Sequence, residues 1–203
     1  MGVYRHRILP WLIHLAMGNK RLTPYRQRLV SAARGTVLEI GIGSGRNLAF
    51  YGREVDRIIG LDPSPRLLDL ARRAAERISI PVALLDASAE SIPLADGSAD
   101  TVVMAWTLCS IPDASRALAE ARRVLKDAGR LLFVEHGLAP DAAVRRWQHR
   151  LDPFWWRVSC HLDRPMDRLI EAAGFTIEKL DAGYMAGGPK ALTFMYEGEA
   201  RRP

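Results

Sequence analysis

Between residues 35 and 136, short apolar runs with no in–out alternation take turns with helical stripes, and this rhythm constrains the fold more than any other feature. Residues 36–40 (TVLEI), 57–61 (RIIGL), 82–85 (VALL), 101–105 (TVVMA) and 130–135 (RLLFVE) read as strands. Runs of this kind, separated by helices, belong to a parallel sheet covered on both faces. Pro65 opens a helix whose buried stripe is Leu67, Leu68, Ala71, Ala74, Ala75 and Ile78. Asp113 is a good N-cap for a second helix, expected to run through Lys126 and to stop at Gly129. A third helix is expected over residues 164–173. The tail changes character. Residues 175–180 and 191–196 read as strands linked through Gly187-Gly188-Pro189, too short a link for a helical crossover, so they should pair antiparallel. The expected fold class is α/β, with five parallel strands, a C-terminal antiparallel hairpin and three αβα layers.

A chain of 203 residues suits one domain. Its 48% hydrophobic and 26% charged residues exclude a disordered or fibrous protein. The longest apolar run, residues 8–17, contains Pro10 and His14 and falls well short of the ~20 residues a membrane-spanning helix needs. Cys109 and Cys160 are the only cysteines, too few for a disulfide scaffold or a structural zinc site, so reducing cytoplasm is the expected compartment. The net charge of +6 comes mostly from arginines spread over helices, which reads as solvated helix faces rather than a nucleic-acid surface. Residues 1–34 form a separate N-terminal arm. Ile8, Trp11, Leu12 and Leu15 recur at helical spacing, and the basic residues Lys20-Arg21 after them disfavour export. Such an amphipathic face either closes over the main domain, residues 35–203, or makes a peripheral contact at the inner membrane surface.

The chemistry concentrates at strand ends. Glu39-Ile40-Gly41-Ile42-Gly43-Ser44-Gly45 follows the first strand, where glycines let the backbone approach a ligand. A dinucleotide fingerprint needs G-x-G-x-x-G; here the third glycine comes one place early and Arg46 takes its position. Asp62 ends the second strand, placed to accept hydrogen bonds from ribose hydroxyls, and it serves equally as a helix cap in Asp62-Pro63-Ser64-Pro65. Asp86 ends the third strand, where it could meet an adenine amino edge or cap a loop.

VLEIGIGSG, GLD, DASAESIPLADGSAD, LCSIPD and RRVLKDAGRLLFVEH, in that order, resemble the class I S-adenosylmethionine-dependent methyltransferases and their Rossmann-like fold. The likeness covers residues 35–196. It is greatest to the small methyltransferase-like proteins that include alkyl-thiol methyltransferases, through VEH at 134–136, Trp147-Gln148, Leu151-Asp152-Pro153 and Trp155. The resemblance implies S-adenosyl-L-methionine as cofactor and S-adenosyl-L-homocysteine as product. It assigns Gly41, Gly43 and Gly45, with Ser44 and Asn47, to the methionine part, and Glu39 to orienting the loop and the cofactor's amino group. Asp62, with Pro63 and Ser64, would bind ribose; Asp86 and Ala87 would flank adenine. Trp106 and Thr107 would stand where the cofactor and acceptor pockets meet.

The implied function is methyl transfer to a small, fairly apolar acceptor, foremost a thiol. The alternatives are a phospholipid or quinone acceptor, or a binding module without turnover. Trp11, Cys109, Trp147 and Trp155 are the candidate acceptor contacts; aromatics at this density serve packing as readily as a substrate wall. A thiol with an ordinary pKa of ~8.5 needs help to ionise. His136, just past the fifth strand, is the first candidate base, and His161, with Asp163, the second. The alternative role of His136 is to hydrogen-bond a loop. Neither histidine stands at metal-ligand spacing, and no metal is expected. Ala105-Trp106-Thr107-Leu108-Cys109 lacks the Asn/Asp-Pro-Pro-aromatic turn of amino-directed base methyltransferases, so no nucleic-acid partner is expected. The oligomeric state is open.

Overall fold

The computed structural model describes residues 9–156 and 160–202. Arg5, His6, Arg7 and Ile8 of the expected arm lie outside the described residues.

The five apolar runs become β1 (Gly35–Ile40), β2 (Val55–Leu61), β3 (Val82–Leu85), β4 (Ala99–Ala105) and β5 (Leu125–His136), all parallel. The tail forms β6 (Thr176–Tyr184) and β7 (Phe194–Arg201), and β7 lies antiparallel to both β5 and β6. The sheet order is β3-β2-β1-β4-β5-β7-β6. The chain therefore builds outward from β1 in one direction, then returns to place β4 on its other side. Loops leaving the carboxyl ends of β1 and β4 diverge there and open a crevice, the usual ligand position in such sheets.

Successive strand residues alternate between two buried layers, which is why the runs show no polar face. Val37, Ile58 and Val103 pack with Leu29 and Val30 of α2 (Thr23–Ser31) and Leu68 and Ala71 of α3 (Pro65–Ala75). Leu38, Ile40, Met104 and Phe133 pack with Leu118 of α4 (Ala114–Val124) and Ile170 of α6 (Met166–Ala172). The result is the expected three-layer α/β fold. Part of the first 34 residues belongs to it, since α2 contributes to the core. Ahead of α2 lies α1 (Leu9–Ala16), and between β5 and α6 lies α5 (Ala142–Trp155).

Two boundaries depart from expectation. The fourth helix ends at Val124, because Leu125 turns extended and is fully buried, and β5 starts there. Gly129 is thus an irregularity within a strand, and a Cβ on it would press on the Leu125 side chain at 2.7 Å. In the tail, residues 190–192 form a 3-10 turn and β7 extends to Arg201 through the polar sequence EGEAR. That stretch can lie inside the sheet because its charges are paired. Glu199 accepts from Arg130 at 2.7 Å and from Lys179 at 3.3 Å, and Glu197 from Arg28 at 2.6 Å.

Candidate active site

The loop after β1 is held by side chains rather than by its own turns alone. Gly41 has φ +71°, and a Cβ there would overlap the Thr107 hydroxyl, so no larger residue fits. Asp62, at the end of β2, accepts from Gly43 N–H through Oδ2 at 3.0 Å and from Ser64 N–H through Oδ1 at 2.9 Å. The carboxylate ties the glycine loop to the start of α3 and still offers a lone pair on each oxygen. Burial raises its pKa, against the lowering effect of those two N–H groups.

Beneath the loop runs a buried polar chain. Glu39 accepts from Asn47 Nδ2 at 2.7 Å and from Tyr51 Oη at 2.8 Å, and Asn47 Oδ1 accepts from Arg26 at 2.7 Å. Burial pushes Glu39 up to about 7, opposed by Tyr51, Asn47 and the nearby guanidinium. Burial likewise draws Arg26 down to about 10. Arg26 also stands 4.8 Å over the Trp106 ring. Trp106 itself is held at φ +53°, a backbone conformation that costs energy for any residue but glycine. Its indole N–H is buried without a partner among the described residues.

Glu135, near the end of β5, caps the turn after β4. Its oxygens accept from the N–H groups of Thr107 and Leu108 at 2.9 Å and of Cys109 at 3.3 Å. Burial raises it to about 7 despite those three donors. His136 is buried beside it, and neither ring nitrogen meets a partner among the described residues. α5 is fastened over this edge by Gln148. Its amide donates to Gly137 O at 2.9 Å and Ala191 O at 3.2 Å, and its oxygen accepts from Ala139 N–H at 2.9 Å. One turn on, Asp152 binds the segment before α6: Oδ1 accepts from Leu162 N–H at 2.6 Å, and Oδ2 lies 3.0 Å from His161 Nδ1. The Trp156 ring stacks parallel to that imidazole, 5.8 Å between centroids.

These parts share one cavity of about 1250 Å³. Among the candidate residues it is lined by Glu39, Gly41, Gly43, Ser44, Asn47, Asp62, Pro63, Ser64, Trp106, Thr107, Cys109, His136, Trp155 and His161. Five candidates stand elsewhere. Gly45 faces an adjoining cavity of about 520 Å³, because the loop has already turned toward α3. Asp86 is exposed yet near enough to Asp62 for its charge to raise that carboxyl, and Ala87 is half-buried against the core; Ser88 and Ala89 line the cavity. Trp11 and Trp147 point to solvent, both 59% exposed, on the outer faces of α1 and α5. His161 pairs with Asp152 rather than Asp163, whose Oδ2 lies 2.9 Å from His149 Nδ1. The fold also brings ligating atoms of Asp152, His161 and Asp163 within 4.8 Å of one another, a proximity that sequence spacing did not reveal.

A methyltransferase-domain family model matches residues 38–133. Thiol S-methyltransferase TMT1B of Rattus norvegicus is 35% identical over 152 residues, covering 72% of this chain and 62% of that protein. Thiol S-methyltransferase TMT1B of Homo sapiens is 30% identical over 172 residues, covering 78% of this chain and 70% of that protein. The chain belongs to the class I S-adenosylmethionine-dependent methyltransferases. It spans 62% of the length of the rat relative. A crystal structure of a putative methyltransferase from Bacillus halodurans superposes with a TM-score of 0.69 at 18% identity, covering 91% of this chain and all of that one, and shares the fold.

The residues present fit S-adenosylmethionine. Gly43, at φ +55° with only Gly41 O within 4 Å of a Cβ position, gives an open backbone cradle that a side chain would fill, Asp62 keeps acceptor capacity for hydroxyls, and Glu39 offers negative charge near a cationic ligand. The cavity exceeds the ~300–1,000 Å³ of an ordinary single-ligand site, leaving room for an acceptor as well. Sequence reasoning passed over Arg26, and it met Glu135 and Asp152 in motifs without giving them a role. Arg26 lies in a segment read as an N-terminal arm or lid rather than as part of the core. The other two are single acids in apolar or helical stretches; the partners of Glu135 lie 26–28 residues back and those of Asp152 nine and ten residues on.

Proposed function

We propose that this class I methyltransferase moves a methyl group from S-adenosylmethionine to the sulfur of a small, apolar thiol. When bound, the cofactor supplies an activated methyl group on a sulfonium. The residues of the chain would do the rest. Gly41, Gly43, Asp62 and Glu39 hold the cofactor; Trp155, Trp156, Leu162, Leu192 and Met195 make an apolar wall that takes the acceptor and excludes water.

The observation that carries this reading is the chemistry of the acceptor end. Two imidazoles, His136 and His161, face a wall of apolar side chains, and no lysine or arginine of the C-terminal half lines the cavity among the described residues. An imidazole is suited to remove a proton from a thiol, whose pKa of ~8.5 lies near its own ~6.5. A phosphate headgroup would call for cations there. Arg164, in the segment before α6, is committed to the carbonyls of Leu108 and Ile111, each at 2.6 Å, and the guanidiniums that do line the cavity, Arg26, Arg46 and Arg66, come from the N-terminal half. The likeness to the two thiol S-methyltransferases supports the same choice.

The test is release of S-adenosylhomocysteine over a panel of small thiols, amines, phenols, quinones and phospholipids. Turnover with apolar thiols is the expected result. Turnover confined to quinones or phospholipids would transfer the reading to those acceptors, and tight cofactor binding with no turnover would make the protein a binding module.

A further inference from the structure

We infer that Asp152 and His161 form a carboxylate–imidazole pair whose Nε2 takes the proton of the acceptor thiol, with His161 as the base and Asp152 as its positioning residue. The inference rests on the thiol reading above and adds the atom that receives the proton.

Three observations converge on this pair. His161 Nδ1 lies 3.0 Å from Asp152 Oδ2, and the Asp152 side chain is only 12% exposed. An ionised carboxylate can only accept, so Nδ1 carries a proton and donates it, which leaves the Nε2 lone pair free. The imidazole lines the acceptor end of the cavity and its orientation is fixed on a second side by the stacked Trp156 ring. Its side chain keeps 28% of its surface accessible, so a proton received at Nε2 can leave to water. His136 also lines the cavity but lacks the carboxylate partner and the accessible surface. It is 6% exposed, and neither of its nitrogens is oriented by a neighbour among the described residues.

The step is a proton transfer. The S–H bond of the acceptor breaks, its electron pair stays on sulfur, and the proton moves to Nε2 while Nδ1–H remains donated to Asp152. The imidazolium formed beside the Asp152 carboxylate returns its Nε2 proton to solvent. Other titratable or charged groups surround the pair: His149 of α5, Cys160, Asp163 and Arg164 of the segment before α6, and Cys109 and Glu135 behind it. Cys109 is pushed well up by its contact with Cys160 and by burial, and stays a neutral thiol.

Asp152→Asn tests the pair through a distinctive consequence of its geometry. Leu162 N–H donates to Oδ1 at 2.6 Å, so the asparagine must keep its oxygen there and turn its NH₂ toward His161. That NH₂ donates to Nδ1 and forces the proton onto Nε2, the wrong tautomer for a base. In the full chain labelled with ¹⁵N-histidine, His161 should show the Nδ1–H tautomer in the parent and the Nε2–H tautomer in Asp152→Asn. With a thiol that the parent methylates, Asp152→Asn and His161→Ala should each lower turnover at neutral pH by roughly 10²-fold, and the deficit should shrink above the pKa of the thiol. An Nε2–H tautomer in the parent, an unchanged tautomer in folded Asp152→Asn, or parental rates in that variant across pH 6–9 would each overturn the pair. Displacement of the Nδ1 proton by added Zn²⁺ at micromolar concentration would also overturn it, since the group would then be a cation site. If the parent methylates no thiol, the proposed acceptor fails, while the tautomer still reads the pair directly.

Discussion

The Asp62 carboxylate holds Gly43 N–H and Ser64 N–H, and one lone pair on each oxygen remains for ribose hydroxyls. Asp62→Ala should therefore weaken S-adenosylmethionine binding by ~10-fold or more, read by titration calorimetry; unchanged affinity in a folded variant would remove Asp62 from the site. Glu39 and Glu135 give a second prediction, since burial lifts both to about 7 from 4.5. A buried carboxyl with a raised pKa favours the folded state while protonated. That contribution is complete below about 4.5 and is lost as pH rises through about 7. The cofactor-free protein should lose stability over this window. Glu39→Gln and Glu135→Gln should each flatten the decline in unfolding midpoint against pH, and a parallel profile in both variants would contradict the assignment. The sequence exposed Glu39, Gly41 and Asp62 because each stands at a strand end in a spaced motif. Asp86, read from the same strand-end logic, is exposed and acts on Asp62 through its charge. The role of Asp152 stayed hidden because its partner, His161, stands nine residues on, outside the spacings that bring side chains together on one helix.

At the scale of elements, α1 and α5 border the cavity and each is fastened by few bonds. Arg46 donates to His14 O at 2.7 Å and Arg26 to Met17 O at 3.1 Å, drawing the end of α1 toward the glycine loop. Deleting residues 1–20 should impair turnover more than cofactor affinity if this arm closes the acceptor end; full activity of the truncated protein without lipid would sink that role. Vesicle binding lost with activity intact would favour a membrane contact instead. α5 depends on Gln148, which is wholly buried and bonded to Gly137, Ala139 and Ala191. Gln148→Ala leaves those groups without partners and should cost about 1–3 kcal/mol of stability, read by denaturant unfolding. Strands β1 to β4 were legible because their runs are apolar on both sides. The polar strand β7 was placed three residues early at its start and five short at its end. Glu197 and Glu199 look like solvent-facing residues until Arg28, Arg130 and Lys179 are seen beside them.

For the whole molecule, the sheet order places the divergence of β1 and β4 beneath the glycine loop, and every candidate that lines the cavity reaches it from this edge or from the C-terminal cover. The parallel half of that order follows from the alternation of strands and helices. The insertion of β7 between β5 and β6 follows from the antiparallel tail, once β5 is left as the open edge. Cross-strand and helix pairs such as Arg130–Glu199 and Arg123–Glu120 neutralise part of the 29 lysines and arginines locally, and the surplus of +6 remains. The central claim is that this architecture methylates sulfur in an apolar acceptor. The direct measurement supplies S-adenosylmethionine bearing a deuterated methyl group to an equimolar mixture of an aryl thiol and its matched phenol and amine. Mass spectrometry then locates the label. The account predicts a deuterated thioether in excess of the uncatalysed background, with the phenol and amine unlabelled; label on oxygen or nitrogen alone, or none on any acceptor, would contradict it.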